Sequence, residues 1–236
     1  MKKALVVLSG GQDSTTCLYW AKKEFEEVAA ITFNYGQKHI AEIDAALKIA
    51  NLAQVDLEII DVPDILKSSS PLTDPTVELE TYSNYNEMEK IIGDRVELTF
   101  VPMRNAFFLT VAANRAVYAD CLNLVTGVCS MDGTNYPDCR PGFINKQEET
   151  INLALGYENK IVFRIHTPLI DSTKAETVKL SKSLPGCWQA LAYSHTCYAG
   201  KVPPCGTCHA CTLRAEGFKQ AGLKDPLIER FEKVSQ

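Results

Sequence analysis

No stretch of about 18 consecutive apolar residues occurs in the 236-residue chain, so no segment is built to cross a bilayer as a helix and no membrane is expected as a partner. Positive charge is not in excess either. Lysine and arginine number 24 against 29 aspartates and glutamates, a formal net charge of −5. A chain without a broad basic field is a poor candidate for tight, nonspecific binding to nucleic acid. Only a local basic patch could serve that purpose, so a small molecule is the expected partner and nucleic acid is not. A secretion leader is not expected either. Lys2 and Lys3 precede an apolar run from Ala4 to Leu8, but that run is too short for a leader and falls straight into a glycine turn. The expectation is a cytoplasmic protein. There is no internal repeat, and no linker long enough to separate two independent domains. With 46% hydrophobic and 22% charged residues, the chain has the composition of a folded globular protein with one sizeable core.

Cysteine, by contrast, is plentiful. Of nine cysteines, Cys17, Cys121, Cys129, Cys139 and Cys187 are scattered, while Cys197, Cys205, Cys208 and Cys211 fall within fifteen residues. One clustered metal site in a reducing compartment explains this better than a disulfide framework. The two-residue spacings let sulfurs from one tight turn reach the same ion, and Gly206 eases the backbone there. Four thiolates around one ion describe a closed structural zinc site, whose binding energy of about 10–16 kcal/mol can fold a tail that lacks its own core. An iron–sulfur cluster is the alternative, since similar spacings occur in ferredoxins. With four sulfurs completing the shell, His195 and His209 are expected to stay outside it.

The remaining pattern alternates short apolar runs with helical periodicity. Strands are expected at Lys3 to Leu8, Val28 to Phe33, Val55 to Ile60, Leu122 to Thr126 and Ile161 to Ile165. Helices are expected at Asp13 to Lys23, about Gln37 to Ala50, Arg104 to Tyr118, Pro141 to Leu155 and Thr173 to Lys182. The Arg104 helix is apolar almost all round and reads as buried. Between Asp61 and Asp94 the periodicity dissolves, which suggests a functional loop or lid. The alternation predicts an α/β fold: a parallel five-stranded sheet flanked by helices over residues 1–184, with a small four-cysteine zinc-binding segment and helix over 185–236.

The turn after the first strand carries the clearest chemistry. Ser9-Gly10-Gly11-Gln12-Asp13-Ser14-Thr15 lies where a strand ends and a helix begins, at the sheet edge where open parallel sheets bind ligands. Two glycines let the backbone approach an anion, the free amides of the helix start point at it, and three hydroxyls add donors. The helix dipole contributes only about 0.3–1 kcal/mol, so cations or a metal ion must help hold a triphosphate. The plain alternative is a helix cap made by Asp13 or Ser14. The spacing fits neither common glycine-rich nucleotide motif, but it resembles the SGGxDS loop of the N-type ATP pyrophosphatases, which include NAD and asparagine synthetases and tRNA thiolases.

Further segments resemble the 7-cyano-7-deazaguanine synthase family. They are Phe33-Asn34-Tyr35-Gly36-Gln37-Lys38-His39, Val101-Pro102-Met103-Arg104-Asn105, Tyr136-Pro137-Asp138-Cys139-Arg140-Pro141 and Cys205-Gly206-Thr207-Cys208-His209-Ala210-Cys211. They run in order through nearly the whole chain. The resemblance implies an adenine nucleotide alpha hydrolase-like fold and an ATP-dependent ligase of queuosine precursor synthesis. Such an enzyme converts 7-carboxy-7-deazaguanine and ammonia to 7-cyano-7-deazaguanine by activating the carboxylate and then the amide. It implies ATP binding at Leu8, Ser9, Gly10, Gly11, Gln12, Asp13, Ser14 and Thr15. Lys38, Arg104, Asp132 and Lys174 become the expected catalytic groups, although a solvated surface charge is the plain reading of either lysine. Tyr35, Tyr136, Asp138 and Arg140 become the substrate contacts, with core packing or an Asp–Pro turn as their alternatives, and Cys139 is given a packing role. Magnesium is expected with ATP, zinc at the four cysteines, and a homodimer as the assembly. The chain starts Met1-Lys2-Lys3 with no nucleophilic cysteine, so no glutaminase segment is expected and ammonia is free or delivered by another protein. A tRNA thiolase, a ligase joining the carboxylate to a protein amine, and a nucleotide-binding sensor remain the rival readings.

Overall fold

The computed structural model describes residues 2–36, 40–130, 136–158 and 160–234. Five strands form one parallel sheet: β1 (Lys3–Val7), β2 (Glu27–Asn34), β3 (Leu57–Asp61), β4 (Asn123–Val125) and β5 (Arg164–His166), in the order β3-β2-β1-β4-β5. Leu5 faces Ala29 on one side and Leu124 on the other, and Val6 likewise faces Ala30 and Val125. The central strands are apolar on both faces, as a sheet covered by helices on both sides requires. Val6, Leu8 and Val125 pack with Leu18, Ile49, Leu169 and Phe218 on one face. Leu5, Ile31 and Leu124 pack with Leu109, Ile144 and Phe163 on the other.

The helices are α1 (Gln12–Glu24), α2 (Ile40–Ala53), α3 (Tyr85–Ile92), α4 (Arg104–Tyr118), α5 (Pro141–Ala154), α6 (Lys174–Ser183), α7 (Cys187–Leu191), α8 (His209–Ala221) and α9 (Pro226–Val234). The expected α/β class and its five parallel strands are present. Among the described residues no helix is long and apolar enough to span a membrane. Three local expectations need correction. The stretch from Asp61 to Asp94 is not free of periodic structure, because α3 lies within it, capped by the Asn84 side chain accepting from Glu87 N. Met88 and Ile92, one turn apart, bury against Tyr82 and Leu213, and Thr81 bridges to Cys208. Helix α4 is buried on one face through Leu109, Ala112, Ala113 and Ala116, not all round; Tyr118 is 88% exposed.

The fifth strand starts at Arg164 rather than Ile161 because a side chain from α5 takes the backbone that a strand would use. Asn152 Oδ1 accepts from the amides of Val162 and Phe163 at 2.8 and 2.9 Å, and its Nδ2 donates to Phe163 O at 2.9 Å. Glu148 accepts from Ile165 N at 2.7 Å. These two residues cover the outer edge of β5, which would otherwise be an open row of donors and acceptors. The chain leaves β1 for β2 and β3 on one side and returns to β4 and β5 on the other. Its direction therefore reverses beside β1, and the carboxyl ends of β1 and β4 open a crevice there.

Candidate active site

The β1–α1 turn occupies that crevice. Gly11 precedes α1 in extended conformation, and no side-chain hydrogen bond from it caps the start of α1. The hydroxyls hold the turn itself together. Ser9 and Ser14 Oγ atoms lie 3.0 Å apart, Ser9 N donates to Ser14 Oγ at 3.2 Å, and Ser14 and Thr15 hydroxyls donate to Gly11 O at 3.1 and 2.7 Å. Gly10 has φ +84, and a Cβ there would press on the backbone of α2, with Ala46 N only 2.8 Å away. Gly127, just beyond β4, allows equally close passage: a Cβ would meet Ser14 N at 2.9 Å and Asp13 C at 3.0 Å. Gly127 was not read from the sequence, although a glycine at the ligand edge of a strand is a recognisable signal of close backbone approach.

A cavity of about 280 Å³ opens above this turn. It is lined by Leu8, Ser9, Gly11, Gln12, Asp13 and Ser14 of the turn, by Tyr35 after β2, Glu42 of α2, Arg104 of α4, Tyr136, Cys139 and Lys174, and by His195, Thr196 and Tyr198 of the tail. Lys174 Nζ pairs with Asp13 Oδ2 at 2.8 Å, and both side chains are largely covered. Lys174 opens α6 behind a reciprocal cap in which Thr173 and Glu176 hold each other's backbone amides, a spacing visible in Thr173-Lys174-Ala175-Glu176.

Arg104 opens α4. Burial works against its charge, but the oxygen-bearing groups of Tyr35, Tyr136, Tyr198 and the Asp138 carboxylate surround it, and its pKa lies above the ordinary arginine value. Burial pushes the hydroxyls of Tyr35, Tyr136 and Tyr198 above the usual phenol range, with Arg104 pulling the other way. All three are neutral at neutral pH, available as donors and acceptors. Tyr136 donates to the buried Glu97 carboxylate at 3.2 Å, and Thr99 shares that carboxylate. Phe33 stacks on Phe108 at 4.2 Å, which fixes the wall beside Tyr35.

The sequence-predicted set is therefore only partly gathered. Leu8, Ser9, Gly11, Gln12, Asp13, Ser14, Tyr35, Arg104, Tyr136 and Lys174 share one cavity. Gly10 and Thr15 lie in the same turn but shape it from behind. Asp138 is buried with its carboxylate turned to α4, accepting from Asn105 N at 3.2 Å. Burial raises its pKa, opposed by Asn105 and Arg104. Arg140 is exposed at the start of α5, and neither it nor Asp138 is among the lining residues. Lys38 and Asp132 lie outside the described residues. Cys139, read as packing, also lines the cavity and accepts from Asn105 Nδ2 at 3.4 Å. Glu42, Glu97, Thr196 and Tyr198 were not anticipated.

Glu42 is the notable addition. Burial pushes its carboxyl up to about 7, with Arg104 pulling it down and Cys197 adding to the rise. Its sequence neighbourhood, on the turning face of an amphipathic helix, resembles that of any surface glutamate.

The ligand atoms of Cys197, Cys205, Cys208 and Cys211 all lie within 4.8 Å of one another, with Cys205 Sγ 3.9 Å from Cys211 Sγ. Sulfurs around a tetrahedral ion with bonds of about 2.3 Å stand roughly 3.8 Å apart, so the cluster fits such an ion. Amides point inward to the sulfurs: Cys205 N donates to Cys197 Sγ at 3.4 Å and Cys208 N to Cys205 Sγ at 3.3 Å. Hydrogen bonds from Cys208 and Cys211 hold the Cys197 thiol well below the usual range, as a thiolate. Neither His195 nor His209 belongs to this group among the described residues.

An α/β protein with an uncapped helix start at its switch point, in a cavity shared with Lys174 and Arg104, has the features of a receptor for a phosphate-bearing ligand. Comparison with known proteins gives the particular family. Residues 3–222 match the model of queuosine biosynthesis protein QueC, and the chain belongs to that family. A 7-cyano-7-deazaguanine synthase of Chromobacterium violaceum is 46% identical over 238 residues, covering 100% of this chain and 97% of the relative. Those of Gloeobacter violaceus and Clostridium kluyveri are 46% and 38% identical, covering 100% and 99% of this chain and 100% of each relative. Solved structures resemble it more distantly. An NMN synthetase from Francisella tularensis is 13% identical with a TM-score of 0.47, covering 100% of this chain and 78% of that one.

Proposed function

We propose that the chain is an ATP-dependent nitrile synthase that converts 7-carboxy-7-deazaguanine and ammonia to 7-cyano-7-deazaguanine for queuosine precursor synthesis. The observation that carries this reading is the open start of α1 inside a cavity shared with Arg104 and Lys174, in a chain whose family relatives bear that activity in their names. A carboxylate has no good leaving group, so both oxygens must be activated before nitrogen can replace them. The α1 amides, with Ser9, Gly11 and Ser14, hold the phosphates of ATP while the substrate carboxylate attacks the innermost phosphorus. Pyrophosphate then leaves toward Lys174. Arg104 neutralises charge that develops across the cavity, where fixed groups in a water-poor site are most effective. Tyr35 and Tyr136 face the heterocycle. Ammonia displaces the adenylate to give the amide, and a second ATP activates the amide oxygen, whose loss leaves the nitrile.

Magnesium accompanies ATP. The four cysteines hold a structural zinc ion, which ties the tail into one fold. The enzyme works in the cytoplasm as a homodimer. The test is direct: release of AMP should require 7-carboxy-7-deazaguanine and ammonium together, and mass spectrometry should show the nitrile. Nucleotide release indifferent to both would refute the reading.

A further inference from the structure

Ammonium carries four N–H bonds and a nitrile nitrogen carries none. Four protons must therefore leave one nitrogen while two C–O bonds break, each with its electron pair departing on the adenylate. A cavity that performs this needs a proton acceptor beside the nitrogen. Among the described residues two carboxylates line it, those of Asp13 and Glu42. Asp13 is bound to Lys174, which leaves Glu42.

The position of Glu42 is fixed. Its backbone packs directly against Gly10, so it stands beside the phosphate-binding turn, while Arg104 of α4 faces it from across the cavity. Tyr35 after β2 and Tyr198 of the tail feel its charge, and Cys197 lies behind. Arg104 draws its carboxyl toward the charged form, and among the described residues no hydrogen bond holds it. A carboxylate with neutral phenols around it is a receptor for a small cation with several donors, and ammonium has that chemistry.

We propose that Glu42 receives ammonium in the cavity and relays the protons of the reacting nitrogen to water in both halves of the reaction. This deepens the nitrile-synthase reading and rests on it. Glu42 first takes a proton from ammonium, freeing the lone pair that forms the C–N bond. The C–O bond to the adenylate breaks, its electron pair leaves with AMP, and the second surplus proton follows the same route. After the amide oxygen has been adenylated, Glu42 takes the remaining two N–H protons in turn. As the last leaves, the N–H electrons form the third C–N bond and the second C–O bond breaks toward AMP. Between transfers Glu42 returns its proton to water.

The experiment compares wild type with Glu42→Gln and Glu42→Asp in the full chain. The measurements are carboxylate-dependent exchange of pyrophosphate into ATP, overall nitrile formation, and nitrile formation starting from the amide. Exchange reports adenylation alone, which needs no base at nitrogen. The expected result is exchange within about threefold of wild type for both variants. Nitrile formation from either starting point should fall by about 100-fold or more in Glu42→Gln, the scale of a lost general base, and recover in part in Glu42→Asp. Glu42→Gln turning over at the wild-type rate would overturn the proposal, as would loss of exchange in step with turnover. Absence of nitrile formation in wild type would instead overturn the nitrile-synthase reading itself.

Discussion

Replacing Gly10 with alanine tests whether the first glycine of the turn is required for packing. Two costs add there. Gly10 has φ +84, a conformation that costs an L-residue about 1–2 kcal/mol. The new methyl also meets the backbone of α2, at Glu42 O and Ala46 N. Backbone cannot rotate aside as a side chain would, so overpacking adds about 1–3 kcal/mol. The total, about 2–5 kcal/mol, is a large share of the ordinary 5–15 kcal/mol stability of a domain. For a chain of this size it corresponds to a fall in Tm of about 10 °C. Gly142 in α5 is the control: a Cβ there meets nothing within 4 Å and the residue has no positive φ. Gly142→Ala should leave Tm unchanged or raise it slightly. Thermal unfolding followed by circular dichroism, without nucleotide, measures both. A Gly10→Ala chain melting within 2 °C or so of wild type would refute the packing argument and return the glycine to a role in ligand approach alone.

Cys208→Ser should abolish stoichiometric zinc, measured by elemental analysis of the purified protein, and expose the tail to protease; retained zinc would count against the four-sulfur site. Arg214→Met removes the partner of the largely covered Asp225, bonded at 2.6 and 2.9 Å, and should cost about 3–5 kcal/mol in urea unfolding; a loss below about 1 kcal/mol would show that the pair is dispensable. Lys174→Met should lower nucleotide release by about 100-fold, and an unchanged rate would remove Lys174 from the phosphate site. Glu42 makes stability depend on pH. Its folded-state carboxyl titrates near 7 against 4.5 when free, so the folded chain binds the proton more tightly and loses stability as pH rises through that window. Glu42→Gln lacks this term. Its Tm advantage over wild type should grow between pH 4.5 and 7 and level off above, and an advantage independent of pH would contradict the assignment.

What the sequence made visible were elements whose local signals agree with their tertiary setting. Helix α4 runs from Arg104 to Tyr118 as its apolar run proposes, and α5 begins at Pro141, where proline fits a helix start. Disagreement arose where a side chain from another element took over the backbone. Val162 and Phe163 have the composition of a strand, but Asn152 claims their amides, and no window around residue 162 reveals an asparagine ten positions earlier. Helix α3 escaped notice for a different reason. It is two turns long, and its apolar face, Met88 and Ile92, has meaning only once Tyr82 and Leu213 are beside it. Asn84 and Glu87 were a legible start signal, lost among the prolines and serines that precede them.

The cavity divides in the same way. The turn after β1 announces itself because one short segment carries all of its chemistry. Arg104, Tyr136 and Lys174 come into view only through resemblance, because each stands alone in its segment and the parallel sheet brings their segments to one edge. Glu42 and Tyr198 carry no local signal. The tail contributes more than a metal-competent cluster, since the residues interleaved with its cysteines are cavity wall: Thr196 and Tyr198 flank Cys197, while His209 and Ala210 sit between Cys208 and Cys211. Tyr198 and His209 stand face to face at 6.4 Å, joining the two halves of that wall. A segment whose alternate residues converge on one point has little freedom for the residues between them. The spacing that groups four sulfurs therefore also fixes where the Tyr198 hydroxyl stands relative to Arg104.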